Sequence, residues 1–311
     1  MEIPVVDFGA GSLNKKHVTD DELQKLGEEL KTAFSEIGFV FLKNFGISEE
    51  EVQRVMDINK KFFLQPEELK QPFSIKTFSQ NPNHGWVCLQ AERLNPRRPG
   101  DLKEAFNVSL LRPDITWPSS GGLQDFQEVQ CSFFQRCKEL SLRVLRVIAI
   151  ALDFHPDVFL NTHRLIGTEE NGTTLRSLFY PPVKSETVKE GQLRCGEHSD
   201  YGSITLLFQN SEGLQVCTRS GEFISAPVIP GTVLINIADL MQRWTSDKLV
   251  SVVHRVLLPS VGDSSTRQSL AFFVHPDDEA VITCCDGSNK YPPVTAGEYL
   301  LQRLKAGYGS S

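Results

Sequence analysis

Hydrophobic positions recur along this chain with two periods, and the place where the period changes divides it. From Asp20 to Ile37, Leu23, Leu26, Leu30, Ala33 and Phe34 step by three and four residues, the helix period. Gly38 ends that run and a strand follows, while a shorter strand precedes it at Ile3 to Phe8. Ser48-Glu-Glu-Glu51 is a capping box opening the next helix, which carries Val52, Val55, Met56 and Ile58. A long segment from Leu123 to Phe154 places Phe126, Val129, Phe133, Cys137, Leu140, Val144 and Val147 at helical spacing, so it predicts a helix that backs a sheet. Its aromatic stripe reads as core packing. A second capping box, Thr295-Ala-Gly-Glu298, precedes an amphipathic helix with Leu300, Leu301 and Leu304 that packs over the core or over a partner subunit.

Beyond Leu175 the pattern becomes short strands separated by Gly, Pro and Ser turns. The strands are Leu175 to Tyr180, Gly202 to Gln209, Gly213 to Thr218, Glu222 to Ala226, Thr232 to Ile237, Ser251 to Leu258 and Gln268 to Val274. Strands at this spacing predict a sandwich or barrel, and the jelly roll is the eight-stranded double sheet of that kind. The expected fold is therefore mainly β with flanking helices: a double-stranded β-helix (jelly-roll) core, an N-terminal α/β region and a long backing helix. No Ser-, Gly- or Pro-rich tract divides the chain, so residues 1–120 and 121–311 are expected to form one continuous unit.

Candidate chemistry begins with His-x-Asp, which occurs three times: His155-Pro-Asp157, His198-Ser-Asp200 and His275-Pro-Asp277. A central Pro makes the first and last read as surface turns. No histidine follows His275, so only His198 can start a series of His, Asp and a distal His. Residues two apart in a strand share a face, so His198 and Asp200 can address one ion. The distal member is His254, in the alternating run Ser251 to Leu258. Two imidazoles and one carboxylate are the ligand set of non-haem Fe(II) oxygenases. Arg267-Gln-Ser269 is the only Arg-x-Ser in the chain and lies 13 residues after His254. A guanidinium and a hydroxyl on one strand face make a carboxylate receptor.

With these motifs the sequence resembles the 2-oxoglutarate and Fe(II)-dependent oxygenases, in their isopenicillin-N-synthase-like branch. The likeness is carried by Ile3-Pro-Val-Val-Asp-Phe8, Glu36-Ile-Gly-Phe-Val-Phe41, Asn44-Phe-Gly-Ile47, Tyr180-Pro-Pro182, Gly196-Glu-His-Ser-Asp-Tyr-Gly202, Gly213-Leu-Gln-Val216, Asn236-Ile-Ala-Asp239 and Trp244-Thr245. The resemblance implies that His198, Asp200 and His254 hold iron. It also implies that Arg267 and Ser269 take the distal carboxylate of 2-oxoglutarate, with Tyr180 supplying an aromatic hydroxyl. The implied reaction consumes O₂ and 2-oxoglutarate, releases succinate and CO₂, and most often hydroxylates a small-molecule substrate. Two positions depart from the branch: Leu178 stands where many members have Asn, and Ala238 where many have Gly.

Composition narrows the partners without identifying the chemistry. The net charge of -7 offers no basic stripe for a phosphate backbone, which argues against nucleic acid and for a small molecule. Seven cysteines, an odd count without paired metal spacing, do not describe a disulfide framework. The start Met1-Glu-Ile-Pro lacks signal-peptide character, and no apolar run reaches membrane-spanning length. A reduced cytoplasmic protein, without membrane contact, is the expectation.

Substrate determinants are less marked. Arg176, four residues before Tyr180, is a candidate partner for an acidic substrate or a rim salt bridge, and Phe273, Trp86 and Phe106 are candidates for an apolar wall. Three other readings stay open at this point: an Fe(II) oxidase of the same branch that uses no 2-oxoglutarate, a catalytically silent protein that binds a small acid, and a hydrolytic zinc enzyme.

Overall fold

A computed structural model describes residues 2–17, 19–75, 83–112, 114–183, 186, 188–260 and 262–308 of the chain. The N-terminal part runs β1 (Val5–Asp7), α1 (Asp20–Glu36), β2 (Phe39–Lys43), α2 (Glu49–Phe63), α3 (Glu67–Lys70), β3 (Gly85–Val87) and β4 (Glu104–Val108). Next come α4 (Phe126–Ala151), β5 (Thr174–Tyr180), β6 (Cys195–His198), β7 (Ile204–Gln209), β8 (Leu214–Cys217), β9 (Phe223–Ser225) and β10 (Thr232–Ile237). The chain ends with α5 (Asp239–Trp244), β11 (His254–Val256), β12 (Arg267–Val274), β13 (Val281–Ile282), β14 (Val294–Thr295) and α6 (Ala296–Tyr308).

Local chemistry places the helix ends. Thr19 and Ser48 cap α1 and α2, each in a reciprocal box with the glutamate three residues on, Glu22 and Glu51. Gly38 follows α1 with φ of 77°, and a Cβ there would collide with the carbonyl oxygen of Val250. That close approach brings the chain directly from α1 into β2.

Eight strands form one sheet in the order β1-β2-β10-β7-β12-β5-β4-β3, and a second sheet has the order β6-β11-β8-β9. Strands from both sides of residue 120 therefore share the larger sheet. Alternation sends its two faces to different neighbours. On β12, Leu270, Phe272 and Val274 join the core beneath the helices, while Arg267, Ser269, Ala271 and Phe273 face the interior of the roll. On β10, Val233, Ile235 and Ile237 take the helix side, and Leu234 and Asn236 the roll side. The expected stripe of α4, Phe126 to Val147, is buried throughout and packs on β4, β7 and β12.

The run Ser251 to Leu258 differs from its expectation, because the strand shrinks to the three residues of β11. The amide of Ser251 donates to Gln242 Oε1 at 2.6 Å and that of Val250 to Phe34 O at 3.0 Å, so the approach to β11 spends its hydrogen bonds outside the ladder. α6 lies over the roll: Leu300 and Leu304 line a cavity beside His198 and Asp200. Among the described residues no helix is long and apolar enough to cross a membrane, and all seven cysteines are free thiols.

Candidate metal and co-substrate site

His198 ends β6, Asp200 follows two residues later, and His254 opens β11 directly opposite His198. Residues 56 positions apart in sequence thus meet across one ladder. Asp200 Oδ1 is 3.8 Å from His198 Nε2 and 3.5 Å from His254 Nε2, and one ligand atom from each residue lies within 4.8 Å of the others.

The surrounding bonds orient all three for a metal. His198 Nδ1 is 2.8 Å from Gly196 O and His254 Nδ1 3.1 Å from Val252 O. A carbonyl can only accept, so Nδ1 carries the proton in each ring and the Nε2 lone pairs turn toward Asp200. Asp200 Oδ2 accepts from Thr205 Oγ1 at 2.7 Å and Asn236 Nδ2 at 2.8 Å, leaving Oδ1 for the ion. Burial holds both histidines below their ordinary range, hence neutral. Burial pushes Asp200 up, but the attraction of His254 and His198 for its charge whenever they carry a second proton, together with the Asn236 and Thr205 bonds, outweighs it, so the carboxyl stays below the usual range. Neutral imidazoles and an ionised carboxylate are the forms that bind a metal.

Arg267 is fully buried on β12, pairing in register with Tyr180 of β5. Its guanidinium donates to Gln209 Oε1 at 2.9 Å, Ser211 O at 3.1 Å and Ser269 Oγ at 3.3 Å, and lies 4.9 Å over the Tyr180 ring. None of these partners is an anion. An unpaired buried charge is costly, so the site calls for a carboxylate from a ligand. Burial raises the Tyr180 phenol, which keeps it a neutral hydrogen-bond donor.

A cavity runs from the triad to Arg267, Ser269 and Tyr180. Another is lined by His198 and Asp200 together with Asn107, His275, Leu300 and Leu304. Both share His198, Asp200, Arg176, Leu94 and Phe273, so two chambers meet at the triad. Arg176 Nη2 lies 2.5 Å from Glu92 Oε2, which is also 3.6 Å from Lys103 Nζ, itself 2.6 Å from Asp101.

Trp86 and Phe106 line neither chamber. Trp86 is buried against Lys70 and donates Nε1 to Glu104 at 2.8 Å. Phe106 packs in the helix-side core, with Phe62 and Phe126 rings 5.1 Å away. Both are core, because β3 and β4 close the sheet edge over that layer. The turn reading of His275-Pro-Asp277 needs correction too: His275 is buried in a chamber wall, and Asp277 accepts from the amides of Arg164 and Leu165. Sequence reasoning also assigned no role to Asn236, Thr205 or Asp239. Asp239 accepts from Ser199 at 3.1 Å, Ser251 at 2.6 Å and Arg303 at 2.5 Å, tying both ligand-bearing segments to α6.

A roll with a His-Asp-His cluster and a buried guanidinium beside it is the arrangement expected of a non-haem metal oxygenase. Residues 150–276 match the family model of the 2OG-Fe(II) oxygenase superfamily, and residues 3–125 that of the non-haem dioxygenase in morphine synthesis N-terminal. The chain is 31% identical to proline hydroxylase buaE of Petromyces alliaceus, covering 90% of this chain and 93% of that one. It is 30% identical to 2-oxoglutarate-dependent dioxygenase htyE of Aspergillus rugulosus, covering 91% and 90%. Its fold superposes on a full-length Neurospora crassa protein solved in complex with alpha-KG and thymine with a TM-score of 0.84, at 32% identity over 98% and 96% of the chains. The chain belongs to the 2OG-Fe(II) oxygenase superfamily and is a non-haem Fe(II)/2-oxoglutarate-dependent oxygenase with a double-stranded β-helix core. When bound, iron and 2-oxoglutarate supply O₂ activation coupled to release of succinate and CO₂; the protein's part is to bind, orient and exclude water.

Proposed function

We propose that this oxygenase hydroxylates a small organic molecule held in the chamber under α6. In this reading His198, Asp200 and His254 hold iron, and Arg267, Ser269 and Tyr180 hold the distal carboxylate of 2-oxoglutarate. Arg176 and Phe273 border the substrate. The observation that carries it is the meeting of two chambers at the triad, one of which ends in a buried guanidinium with no anionic partner among the described residues. Neither nucleic acid nor a membrane is a partner in this reading. The pairing of β2 with β10 supports treating residues 1–120 and 121–311 as one working unit. Seven free thiols suit the cytoplasm, where ferrous iron is also kept reduced.

The relatives bracket the substrate chemistry: one is named for proline, an amino acid, and the Neurospora crassa protein is seen with thymine, an uncharged ring. The oxygenase assignment itself is tested anaerobically, by adding Fe(II) and then 2-oxoglutarate to the apoprotein. A weak visible charge-transfer band is expected, lost in His198→Ala and weakened in Arg267→Ala. Bound iron without the band would overturn the co-substrate roles and move the 2-oxoglutarate-independent oxidase forward.

A further inference from the structure

Two of the three buried histidines outside the triad, His163 and His275, differ in how they are satisfied. His163 is fully partnered, with Nδ1 2.6 Å from Phe159 O and Nε2 2.8 Å from Ser203 Oγ. His275 is 6% exposed, yet among the described residues neither of its ring nitrogens has a hydrogen-bond partner, and Nδ1 is wholly buried. Its backbone is not at fault: the amide donates to Thr173 Oγ1 at 3.0 Å, and the carbonyl accepts from Asn171 at 3.0 Å. Buried polar groups are nearly always bonded, so an orphan imidazole in a cavity wall points to a ligand.

The seat of this ring is built for it. A Cβ on Gly202 would stand 3.0 Å from His275 Nδ1, and one on Gly172 would stand 3.6 Å from Cγ and 2.5 Å from Leu300 Cδ2. Two glycines therefore let the imidazole sit between them while α6 closes over it. The same wall holds a second orphan, Asn107 Oδ1. Thr174 Oγ1 gives its proton to Gly172 O at 3.1 Å and so accepts from Asn83 Nδ2 at 2.6 Å. Asn83 Oδ1 in turn accepts from Asn107 Nδ2 at 3.1 Å, and the relay ends on the Asn107 carbonyl.

The charges around the chamber are offset from within the protein. Arg176 is paired with Glu92, and Arg303 of α6 with Asp239. Among the described residues the chamber thus lacks the uncompensated cation that Arg267 provides on the other side of the triad. We propose that His275 and Asn107 are specificity-determining residues that read the substrate by hydrogen bonds, and that the chamber takes an uncharged small molecule bearing an amide or lactam. A lactam N–H meets the Asn107 acceptor, and its carbonyl meets an imidazole N–H. The inference rests on the oxygenase reading above.

The test is calorimetry under anaerobic conditions on protein loaded with Fe(II) and 2-oxoglutarate, in wild type, His275→Phe and His275→Asn. Thymine, cyclo(Gly-Pro) and 2-piperidone serve as uncharged probes, L-proline and benzoate as carboxylates. At least one uncharged probe binds wild type more tightly than either carboxylate does. It weakens about 10- to 100-fold in His275→Phe, which leaves a buried partner unmet. His275→Asn, which restores a donor and an acceptor, recovers part of the loss, and the affinity for 2-oxoglutarate stays unchanged. Should His275→Phe fail to fold, Asn107→Leu carries the same comparison with the same expected loss. Preference for carboxylates, no binding by any lactam, or lactam affinity unmoved by these substitutions overturns the proposal. Failure of wild type to bind 2-oxoglutarate would instead sink the oxygenase reading.

Discussion

His198 and His254 are direct cross-strand partners on β6 and β11, with ring centroids 4.3 Å apart and Asp200 Oδ1 between 3.5 and 3.8 Å from their Nε2 atoms. The ladder fixes the two backbones, but Asp200 lies beyond the end of β6 and depends on its own bonds. Thr205 and Asn236 hold Oδ2, and so decide which oxygen is left for the metal.

Asn236→Ala should therefore leave the fold intact and lower Fe(II) affinity by roughly 10- to 100-fold, the usual effect of losing a bond behind a ligand. Titration with Fe(II) under anaerobic conditions, or with Co(II) by absorbance, reads this directly. Unchanged affinity would mean that the triad holds its geometry without Asn236.

Arg267 makes an opposite prediction for stability and for binding. Its guanidinium is fully buried with only neutral partners among the described residues, so without 2-oxoglutarate Arg267→Met should cost little stability, because the variant removes an unpaired charge from the interior. Wild type should gain several degrees in Tm on adding 2-oxoglutarate, by mass action, and the variant should gain almost none. The dissociation constant for 2-oxoglutarate should rise at least about 30-fold, since truncating one side of a buried charge pair costs about 2–5 kcal/mol. Equal ligand-induced shifts in the two proteins would remove Arg267 from the co-substrate site.

The helical part of the fold was legible because its apolar stripes are long and their caps are local: α1, α2 and α4 fall close to where three- and four-residue spacing puts them. The clustering of His198, Asp200 and His254 was legible because their residue types are rare together. β3, β4 and β6 carry only three to five residues each, too few for a period to stand out. Trp86 and Phe106 could not be separated from Phe273 by type, since what differs is the sheet face and edge they occupy. His275-Pro was misread for a related reason. β12 does end just before His275-Pro, but the seat of the imidazole is shaped by Gly202 and Gly172, 73 and 103 residues away in sequence.

Acid should destabilise the fold through its buried neutral histidines. Burial pushes His84 and His163 down to about 4, from 6.5 when exposed. The unfolded chain therefore binds more protons than the native one between those values, and stability falls as pH drops. The contribution is complete above about pH 6.5 and is lost progressively toward pH 4, amounting to about 3 kcal/mol per histidine at 1.36 kcal/mol per pH unit. Urea denaturation at a series of pH values should show the midpoint flat above pH 7 and sinking below 6.5. In His163→Gln the slope across that window should be shallower than in wild type, and an equal slope would remove His163 as a source.

α6 should act on the substrate side alone. Leu300 and Leu304 line only the chamber that contains His275, and the helix is tied down by Arg303 to Asp239 and Ser199. Ending the chain after Thr295 takes away one wall of that chamber and leaves the cavity at Arg267 lined as before. The truncated protein should bind Fe(II) and 2-oxoglutarate within about threefold of wild type, because none of its removed residues belongs to either site. Shielding of the chamber from water should be lost, so 2-oxoglutarate consumption should run ahead of product formation with any accepted substrate. Arg303→Ala should reproduce part of this uncoupling with the helix still present, since it cuts the tie while keeping both leucines. Measuring succinate against hydroxylated product in the three proteins decides the point: a ratio that stays at wild-type level in both variants would make α6 a structural appendage rather than a wall of the substrate chamber.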